Sequence, residues 1–572
     1  MRNAALSERL REIADILEME GVEYKPRAYR TAARRIDALS EDVEDVYDRG
    51  ELRDLEGVGE SIAEKIGEFL TTGEMGYYTT LKAEYPVDVE RLQQVEGIGP
   101  KSVKRLYEQL GIEDLADLEQ AARAGEIAAL EGFGEQTQAT ILEQVDVATE
   151  GADRRLLGPV LERATELRDK LAAADSFDRV RLVGSVRRRR PTVGDVDLLA
   201  TAGDPEQAME TFCTQTSVEA VLARGPTKSS VVLPDGLRVD LRVVEDAAFG
   251  AATVYFTGAV DHNVALRERA LERDWKLNEY GLFDTSATQA SGRRAGTRLA
   301  GETERGIYET LGLSYPPPAL REHTGEVAAA AAGDLPTLVE PTDVCGDLHV
   351  RTDYGDGTAS VREMAERAAV LGHEYVCIAD HGPTVPDADG LDVEAFAEQA
   401  ATVDAVDDDL GIAVFHSVEA QVTADGLGVP DEWAERVDLL TVGMHDRPAN
   451  PTERLCSVLD SYPVDVIAHP LHRRIQGRDP IALDLARVTR VARSEDVALE
   501  VNARPERLDL DWYSIKQYRD EVDYVVSTAA RTPAELEHLP LGVAQARRGW
   551  CTPEDVCTTR GAAGLRARLE RE

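Results

Sequence analysis

The chain has 572 residues with 107 acidic against 64 basic side chains, a formal net charge of −43, and its length predicts about three to five domains of ~100–200 residues each. No apolar run approaches the ~18 residues of a membrane span and no signal-peptide core is present, so we expect neither a membrane protein nor an exported one. The six cysteines are scattered without a CxxC pair, which argues against a disulfide framework or a cysteine zinc site and favours a reducing cytoplasm.

The acidic balance is unusual for a protein that binds nucleic acid, because phosphate binding normally uses a basic surface. One explanation is a halophilic source, since an acidic surface stays hydrated in a high-salt cytoplasm and basic residues are kept where a phosphate needs them. Phosphate binding also weakens as salt rises, so tight local contacts matter more there. An ordinary acidic protein is the alternative, and charge alone does not decide between them.

The first 150 residues are predicted to be helical and repetitive. Leu6, Leu10, Ile13, Ile16 and Leu17 recur at the spacing of an amphipathic helix. Three later segments each join two apolar helices through a Gly-hydrophobic-Gly turn. Such a turn lets backbone approach a DNA strand, and the helix that follows offers free N–H groups to phosphate. We therefore predict DNA-binding hairpins at Gly57, Gly59, Gly97, Gly99, Gly132 and Gly134; plain helical connectors are the alternative.

Residues 181–200, RLVGSVRRRRPTVGDVDLLA, contain two aspartates spaced two apart, which puts Asp195 and Asp197 on one face of a strand. In LRVDLRVV, the apolar residues alternate and leave Asp240 on the opposite face. Three carboxylates brought together form an oxygen-ligand site for Mg²⁺ or Mn²⁺. Gly184 lets backbone approach a phosphate, and the arginines neutralise its charge. The pattern predicts metal-assisted nucleotidyl transfer; an exposed carboxylate pair is the bland alternative.

A Pro- and Ala-rich join (Pro316, Pro317 and Pro318, then Ala328 to Ala332) precedes the second unit, with the linker expected at 321–340. In the second unit, seven short apolar segments alternate with helical stretches. This alternation predicts a β/α barrel. Histidines and carboxylates follow the carboxyl ends of the predicted strands, where such barrels place their chemistry. The candidate metal ligands, of types that suit zinc and manganese, are His349, Asp356, His381, Glu419, His445 and His469.

The motifs GSVRR…GDVD, VDLR, YFTG and LNEYGLF together resemble the family X DNA polymerases of the bacterial and archaeal type, which carry a C-terminal polymerase-and-histidinol-phosphatase (PHP) domain. The resemblance implies a multidomain fold: an all-α helix-hairpin-helix N-terminal region, an α+β nucleotidyltransferase palm and thumb, and a C-terminal α/β PHP barrel. The expected domains are a lyase-like helical domain at 1–80, helix-hairpin-helix fingers at 81–150, a palm at 151–245, a thumb at 246–320, the linker at 321–340 and the PHP domain at 341–572.

The same resemblance implies residue roles in the polymerase. Asp195, Asp197 and Asp240 correspond to the catalytic ligands of two Mg²⁺ ions. The triphosphate cradle corresponds to Gly184, Ser185 and Arg188, and the segment that holds the sugar and base of the incoming nucleotide corresponds to Tyr255, Phe256 and Gly258. Asn263 corresponds to a minor-groove contact to that base, and Arg267 to a template-side contact. Arg189 stands where the family usually has glycine.

In the N-terminal domain, Lys65 corresponds to the Schiff-base lysine of a deoxyribose-phosphate lyase, a possible second activity. Lys25 and Tyr29 correspond to its 5′-phosphate pocket. Ser61 stands where a second pocket lysine is expected.

The PHP pattern has nine ligands for three metals, and three of them are replaced here by Arg351, Ala529 and Arg531. The resemblance therefore implies a degenerate site that holds at most one Zn²⁺ or Mn²⁺, and a 3′→5′ exonuclease activity that is weak or absent.

We thus predict a monomeric, cytoplasmic repair polymerase that transfers dNTPs to a primer 3′-hydroxyl on gapped or primer-template DNA, as in base excision repair. Two alternatives stay open: a PHP phosphoesterase or 3′→5′ exonuclease with a polymerase-like arm, and a non-catalytic DNA-binding protein.

Overall fold

The computed structural model describes residues 2–22, 24–37, 43–72, 75–92, 98–123, 125–130, 133, 154–287, 293–386 and 388–569. Within these ranges, none of the helices combines the length and the apolar character that crossing a bilayer requires.

The N-terminal part is all helical. Its α-helices are Arg2–Met19, Lys25–Asp37, Val43–Asp48, Glu60–Thr72, Gly76–Glu84, Val89–Leu92, Pro100–Leu110 and Leu115–Arg123. They share one apolar core, to which the first helix contributes the predicted stripe of Leu6, Leu10, Ile13, Ile16 and Leu17, all buried. The helical period predicted from sequence is therefore the period at which this helix buries its side chains.

A five-stranded mixed sheet forms the palm. Its strands are β1 (Arg179–Leu182), β2 (Val196–Thr201), β3 (Ala220–Arg224), β4 (Lys228–Val232) and β5 (Arg238–Val243), in the spatial order β1-β2-β5-β4-β3. Only β2 and β5 run parallel. Helices Leu157–Ala172 and Pro205–Cys213 pack with the apolar side chains of β5, which are buried as their alternation predicted.

The thumb joins helices Phe249–Thr257, Val260–Leu271 and Glu304–Thr310 to a small antiparallel sheet of β6 (Trp275–Asn278), β7 (Gly281–Asp284) and β8 (Thr297–Ala300). The alanine run of the predicted join forms a further helix, Glu326–Ala332. Ala330 is buried in the thumb core, because alanine is a strong helix former and its small side chain lets the helix approach closely. This part of the join is an ordered element of the thumb.

The C-terminal unit is a nearly closed parallel barrel. Its strands are β9 (Gly346–Val350), β10 (Tyr375–His381), β11 (Ala413–Thr423), β12 (Leu439–Gly443), β13 (Val466–Ile467), β14 (Ala498–Asn502) and β15 (Tyr524–Ser527), each parallel to the next. A parallel bridge between Val350 and Ala530 brings the first strand against the end of the last. All seven predicted strands are confirmed.

The helices between the barrel strands are Val361–Val370, Val393–Asp409, Asp431–Ala434, Pro451–Leu459, Leu485–Ser494 and Trp512–Tyr518; Leu539–Arg548 and Ala562–Leu569 follow the last strand. The barrel packs directly on the palm: Leu508 and Leu541 are buried in the palm's apolar core. A Cβ at Gly158 of the palm would lie 2.8 Å from Pro505, so glycine permits this close approach.

Candidate functional site

Two of the three predicted palm aspartates are direct partners in the sheet. Asp197 of β2 pairs with Asp240 of β5, and Asp195 immediately precedes β2. Because β2 and β5 are parallel and in register, the two carboxylates lie on the same face at the same level. The apolar residues that alternate with them along both strands are buried in the palm core on the opposite face. The sheet thus assembles the three carboxylates from two short sequences.

The electrostatics of this cluster favour a cation. Burial, followed by the charges of Asp195 and Asp240, raises the pKa of Asp197 to about 7. The pKa of Asp195 is also raised, by burial and then by Asp240. Carboxylates that resist ionising together are stabilised by a multivalent cation, which removes their mutual repulsion. The donor set therefore fits a divalent metal.

Asp240 differs because basic side chains contact it. Burial raises its pKa, but hydrogen bonds from Arg238, at 3.0 and 3.4 Å, outweigh that effect and leave the pKa lowered. Lys228 Nζ lies 3.2 Å from the same carboxylate. These cations compete for the oxygens that a metal would use, so metal binding at Asp240 exchanges one positive partner for another.

The predicted glycine-serine turn is the start of a short helix, Gly184–Arg187, which lies against the aspartates. Gly184 adopts φ +67°, and a Cβ there would lie 2.5 Å from Asp197 Oδ2, so only glycine fits. Arg189 has φ +59°, which gives a backbone reason why glycine is usual at this position. Ser185 is half-buried. Arg188 is buried and donates to Glu322 Oε1 at 3.0 Å and to the Thr257 carbonyl at 2.6 Å, so in this arrangement its guanidinium contacts the thumb.

The thumb residues predicted to hold a nucleotide lie together at a helix end. Tyr255 and Phe256 are in edge contact, with ring centroids 5.1 Å apart. Asn263 donates from Nδ2 to the Tyr255 carbonyl at 2.7 Å, and a Cβ at Gly258 would lie 2.7 Å from Asn263 Oδ1. Arg267 is exposed on the next helix.

In the N-terminal domain, Lys65 lies against the ring of Tyr77. Its Nζ donates to Ser61 Oγ at 2.7 Å and lies 4.8 Å from the ring centroid of Tyr77. Tyr77 stacks on the buried Tyr29 at 6.4 Å. Lys25 is exposed at the start of its helix. The structure thus brings Lys65 and Tyr29 into one cluster through Tyr77, a residue that the sequence analysis did not single out.

The described hairpin glycines differ in environment. Gly57 has φ +85°, and a Cβ there would lie 2.8 Å from both Thr31 and Ala32, so this glycine is required by packing. Gly59 and Gly99 each precede a helix, and a Cβ added at either would meet no heavy atom within 4 Å, so their backbone is open to a ligand. Gly97, Gly132 and Gly134 lie outside the described residues.

The PHP candidates surround one carboxylate. Glu419 pairs in register with His381 on the neighbouring strand. Its Oε1 lies 2.9 Å from His445 Nε2 and 2.8 Å from His469 Nε2, while its Oε2 lies 3.1 Å from His349 Nε2 and 3.4 Å from His381 Nε2. His381, Glu419 and His445 offer ligand atoms that all lie within 4.8 Å of one another. Asp356 contacts His381 Nδ1 at 3.2 Å.

The imidazoles on the Oε1 side are suited to a metal. Burial lowers the pKa of His445 and lowers that of His469 well below its usual range, so both are neutral at physiological pH, as metal ligands must be. Their Nε2 atoms lie 2.9 and 2.8 Å from Glu419 Oε1, but the angles are not those of a hydrogen bond, and no other described residue bonds these atoms. Neutral, unpartnered nitrogens aimed at a carboxylate oxygen fit a single divalent ion.

The Oε2 side does not fit metals, because arginines replace the missing ligands. Arg351 Nη2 contacts Glu419 Oε2 directly, and Arg531 Nη2 lies 3.1 Å from Asp356 Oδ2. Burial raises the pKa of Glu419, yet the charge of Arg351 holds it well below its usual range. Ala529 offers no donor. A trinuclear cluster therefore disagrees with the residues present.

Two residues at this site escaped the sequence analysis. Glu500 accepts hydrogen bonds from His349 Nδ1 at 2.8 Å and from the His469 backbone N–H at 2.6 Å, and so orients both histidines. His472 packs against the rings of His445 and His469. The available signals were the position of Glu500 in the strand VALEVN and the spacing of two histidines in HPLH.

The chain resembles known proteins along its length. Family models match for a helix-hairpin-helix domain (residues 1–75), a SAM-like helix-hairpin-helix tandem (89–146), the DNA polymerase beta thumb (252–322) and the PHP domain (347–521). The probable phosphatase of Caldanaerobacter subterraneus is 24% identical over 166 residues, 27% of this chain and 61% of that one. DNA polymerase lambda of Rattus norvegicus is 26% identical over 346 residues, 56% of each chain.

The DNA polymerase/3′-5′ exonuclease PolX of Bacillus subtilis is 31% identical over 572 residues, covering 98% of both chains. The helical hairpins, the polymerase thumb and the parallel barrel stand in the order that this relationship requires. The chain belongs to the family X DNA polymerases that carry a C-terminal PHP domain.

Proposed function

We propose that this polymerase fills short gaps in DNA repair, base excision repair included, by transferring dNTPs to a primer 3′-hydroxyl at Asp195, Asp197 and Asp240. The observation that carries the proposal is the in-register pairing of Asp197 with Asp240 on parallel strands, next to Asp195. The helix-hairpin-helix segments imply DNA binding. We further propose a monomer in a cytoplasm of high salt, the latter because of the net charge of −43.

Asp195, Asp197 and Asp240 would hold divalent cations, Mg²⁺ or Mn²⁺, which would activate a hydroxyl nucleophile and neutralise the charge of the pyrophosphate leaving group. The chain's own residues hold the substrates. Gly184 and Ser185 offer a turn whose backbone faces the aspartates, at the place for a triphosphate. Arg188 reaches a triphosphate by exchanging its contact with Glu322.

At the sugar and base of the incoming nucleotide, we propose Tyr255, Phe256 and Gly258. The hydrogen bond from Asn263 to the Tyr255 carbonyl keeps this segment in place. Arg267 is exposed on the same helix as Asn263, and we propose that it contacts a template phosphate.

A gap-filling assay tests the metal assignment. Asp197→Ala should abolish primer extension on gapped DNA, whereas Asp178→Ala, an exposed aspartate just before β1, should leave it unchanged. Both proteins should bind gapped DNA equally well, which separates a catalytic loss from a binding loss. Extension by the Asp197→Ala protein at the wild-type rate would refute the assignment.

For the PHP barrel, we propose one Zn²⁺ or Mn²⁺ at Glu419, His445 and His469, with 3′→5′ exonuclease activity weak or absent. The neutral imidazoles and the unpartnered Glu419 Oε1 support the single ion, and the guanidinium of Arg351 on Oε2 argues against a second. A 3′-labelled primer incubated with Mn²⁺ provides the test. Robust degradation that survives Asp195→Ala but is lost in His445→Ala would overturn this proposal and favour the phosphoesterase alternative.

In the N-terminal domain, we propose that Lys25 and Tyr29 bind the 5′-phosphate at the far side of a gap and that Lys65 is the lyase nucleophile. The proximity of Lys65, Tyr77 and Tyr29 supports a shared pocket.

A further inference from the structure

Two arginines lie beyond the carboxyl ends of adjacent barrel strands: Arg351 follows β9, and Arg531 follows β15. We call these two residues the arginine pair. The bridge between Val350 and Ala530 and the hydrogen bond from the Arg351 N–H to the Ala530 carbonyl, at 2.8 Å, hold their backbones side by side. Both side chains enter the same carboxylate and histidine cluster, Arg351 at Glu419 and Arg531 at Asp356.

Each arginine uses its partner incompletely. Arg351 meets Glu419 through Nη2 alone, and its Nη1 is buried with no hydrogen-bond partner among the described residues. The Nε of Arg531 is likewise buried with no hydrogen-bond partner among the described residues, whereas its Nη2 donates to Asp356. A guanidinium is a planar fork that binds two acceptor oxygens at once, and a buried donor without a partner is costly. Arg351 is 3% exposed, so its guanidinium is shielded from bulk solvent.

Each carboxylate that the arginine pair contacts has more than one partner. Glu419 is shared by Arg351 and four histidines, and Asp356 by Arg531 and His381. The half-buried Arg507 adds a third guanidinium beside His472, 3.4 Å from its Nδ1. Glu535 accepts a hydrogen bond from the Arg531 backbone N–H at 2.7 Å and also lies 3.9 Å from Arg504, whose nearer partner is Glu506 at 2.7 Å.

Arg531 is the most exposed member of the arginine pair and of the carboxylates and histidines that the pair contacts. The side chain of Arg531 is 36% exposed, whereas Arg351, His349 and Glu419 are buried. A ligand therefore enters past Arg531 and meets Arg351 at the bottom of the barrel mouth. It must be small, anionic and rich in acceptor oxygens in order to satisfy donors from both arginines.

We propose that the arginine pair binds a phosphate group, as a phosphate monoester or as orthophosphate, without requiring a divalent cation. A phosphate offers several oxygens in the geometry that guanidinium groups recognise bidentately. At the carboxyl end of the barrel, Arg351 and Arg531 thus occupy positions of metal ligands and form an anion-binding site instead. This site is separate from the polymerase aspartates, so its failure would leave the proposed polymerase function standing.

Calorimetric titration of the full-length protein with inorganic phosphate, in EDTA, tests the proposal. We expect saturable binding that weakens about tenfold or more in Arg531→Met, which removes a partly exposed guanidinium at the mouth. Arg362→Met, which removes an exposed arginine on an outer helix of the same domain, is the matched control and should bind as wild type does. Arg351→Lys, which keeps the charge beside Glu419 but loses the fork, should also weaken binding.

A reciprocal variant sharpens the test. Arg351→His combined with Arg531→His should lower phosphate affinity in EDTA and raise the amount of Mn²⁺ that co-purifies, measured by elemental analysis. Absence of saturable phosphate binding in wild type, or equal affinity in wild type and Arg531→Met, would overturn the proposal.

A competition experiment distinguishes a phosphorylated DNA end from free phosphate as the ligand. Displacement of inorganic phosphate by a 3′-phosphorylated oligonucleotide, but not by its 3′-hydroxyl counterpart, would identify a DNA end as the ligand. Displacement by neither would identify free phosphate.

Discussion

Glu304 is the carboxylate at which palm and thumb arginines meet, and its neutralisation is predicted to loosen the thumb. Arg187 of the palm donates to it twice, at 2.9 and 2.6 Å, and the fully buried Arg321 donates at 2.8 Å. Arg181 lies 3.3 Å away. Glu304→Gln keeps the shape of the side chain and removes the charge that these cations require.

The size of the effect follows from the titration of Glu304. Burial alone would raise its pKa, but the hydrogen bond from Arg187 and the charge of Arg321 lower it from 4.5 to about 2. A shift of that size corresponds to roughly 3 kcal/mol in favour of the ionised folded state, and breaking a buried ion pair costs a similar ~3–5 kcal/mol. This stability is fully present above the unfolded-state pKa of about 4.5 and is lost as the pH falls toward 2.

Native-state hydrogen exchange of thumb peptides measures the loss locally, because a multidomain chain has no single unfolding free energy. We expect Glu304→Gln to lower the local opening free energy by about 3 kcal/mol at pH 7, with the difference from wild type narrowing below pH ~4.5. Glu309→Gln, which neutralises an exposed carboxylate on the same helix, is the control. A decrease in the local opening free energy of less than ~1 kcal/mol at pH 7 would refute the reasoning, since it would mean that solvent already screens the charges of Glu304 and its arginine partners.

Three further predictions concern the other sites. Gly57→Ala should lower the melting temperature of the N-terminal domain, because the new Cβ would collide with Ala32. Gly59→Ala should keep the melting temperature and weaken binding of gapped DNA. Equal changes of melting temperature and of DNA affinity in the two variants would contradict the different roles of these glycines. Mg²⁺ affinity, measured by calorimetry, should rise with pH up to about 7 as Asp197 deprotonates and then level off, so a flat profile would exclude this carboxylate as the titrating ligand. Borohydride should trap an adduct on an abasic-site substrate with wild type but not with Lys65→Ala; no adduct with wild type would end the lyase proposal.

Local patterns in the sequence predicted the architecture well, because they act over a few residues. Alternation along β5 predicted which face Asp240 occupies, and the helical stripe beginning at Leu6 predicted a buried face. The seven barrel strands were each marked by a short apolar run that ends in polar residues. The replacements at Arg351 and Arg531 were also visible, because the motif around them is contiguous.

The consequences of those replacements depended on the tertiary structure. Arg351 and Glu419 come from different strands, and only the barrel reveals that one nitrogen of the guanidinium is paired and another is buried without a partner among the described residues. Likewise, Arg188 contacts Glu322, and the buried Arg548 of the PHP domain lies 3.4 Å from that same carboxylate.

The sequence by itself determined the elements and the chemical types at each site, since both are properties of neighbouring residues. Only the tertiary structure decided which charges meet, which donors stay unsatisfied and which of two similar glycines, Gly57 or Gly59, is held by packing. Those outcomes depend on distances between side chains that are far apart in the chain, and local patterns carry no information about such distances.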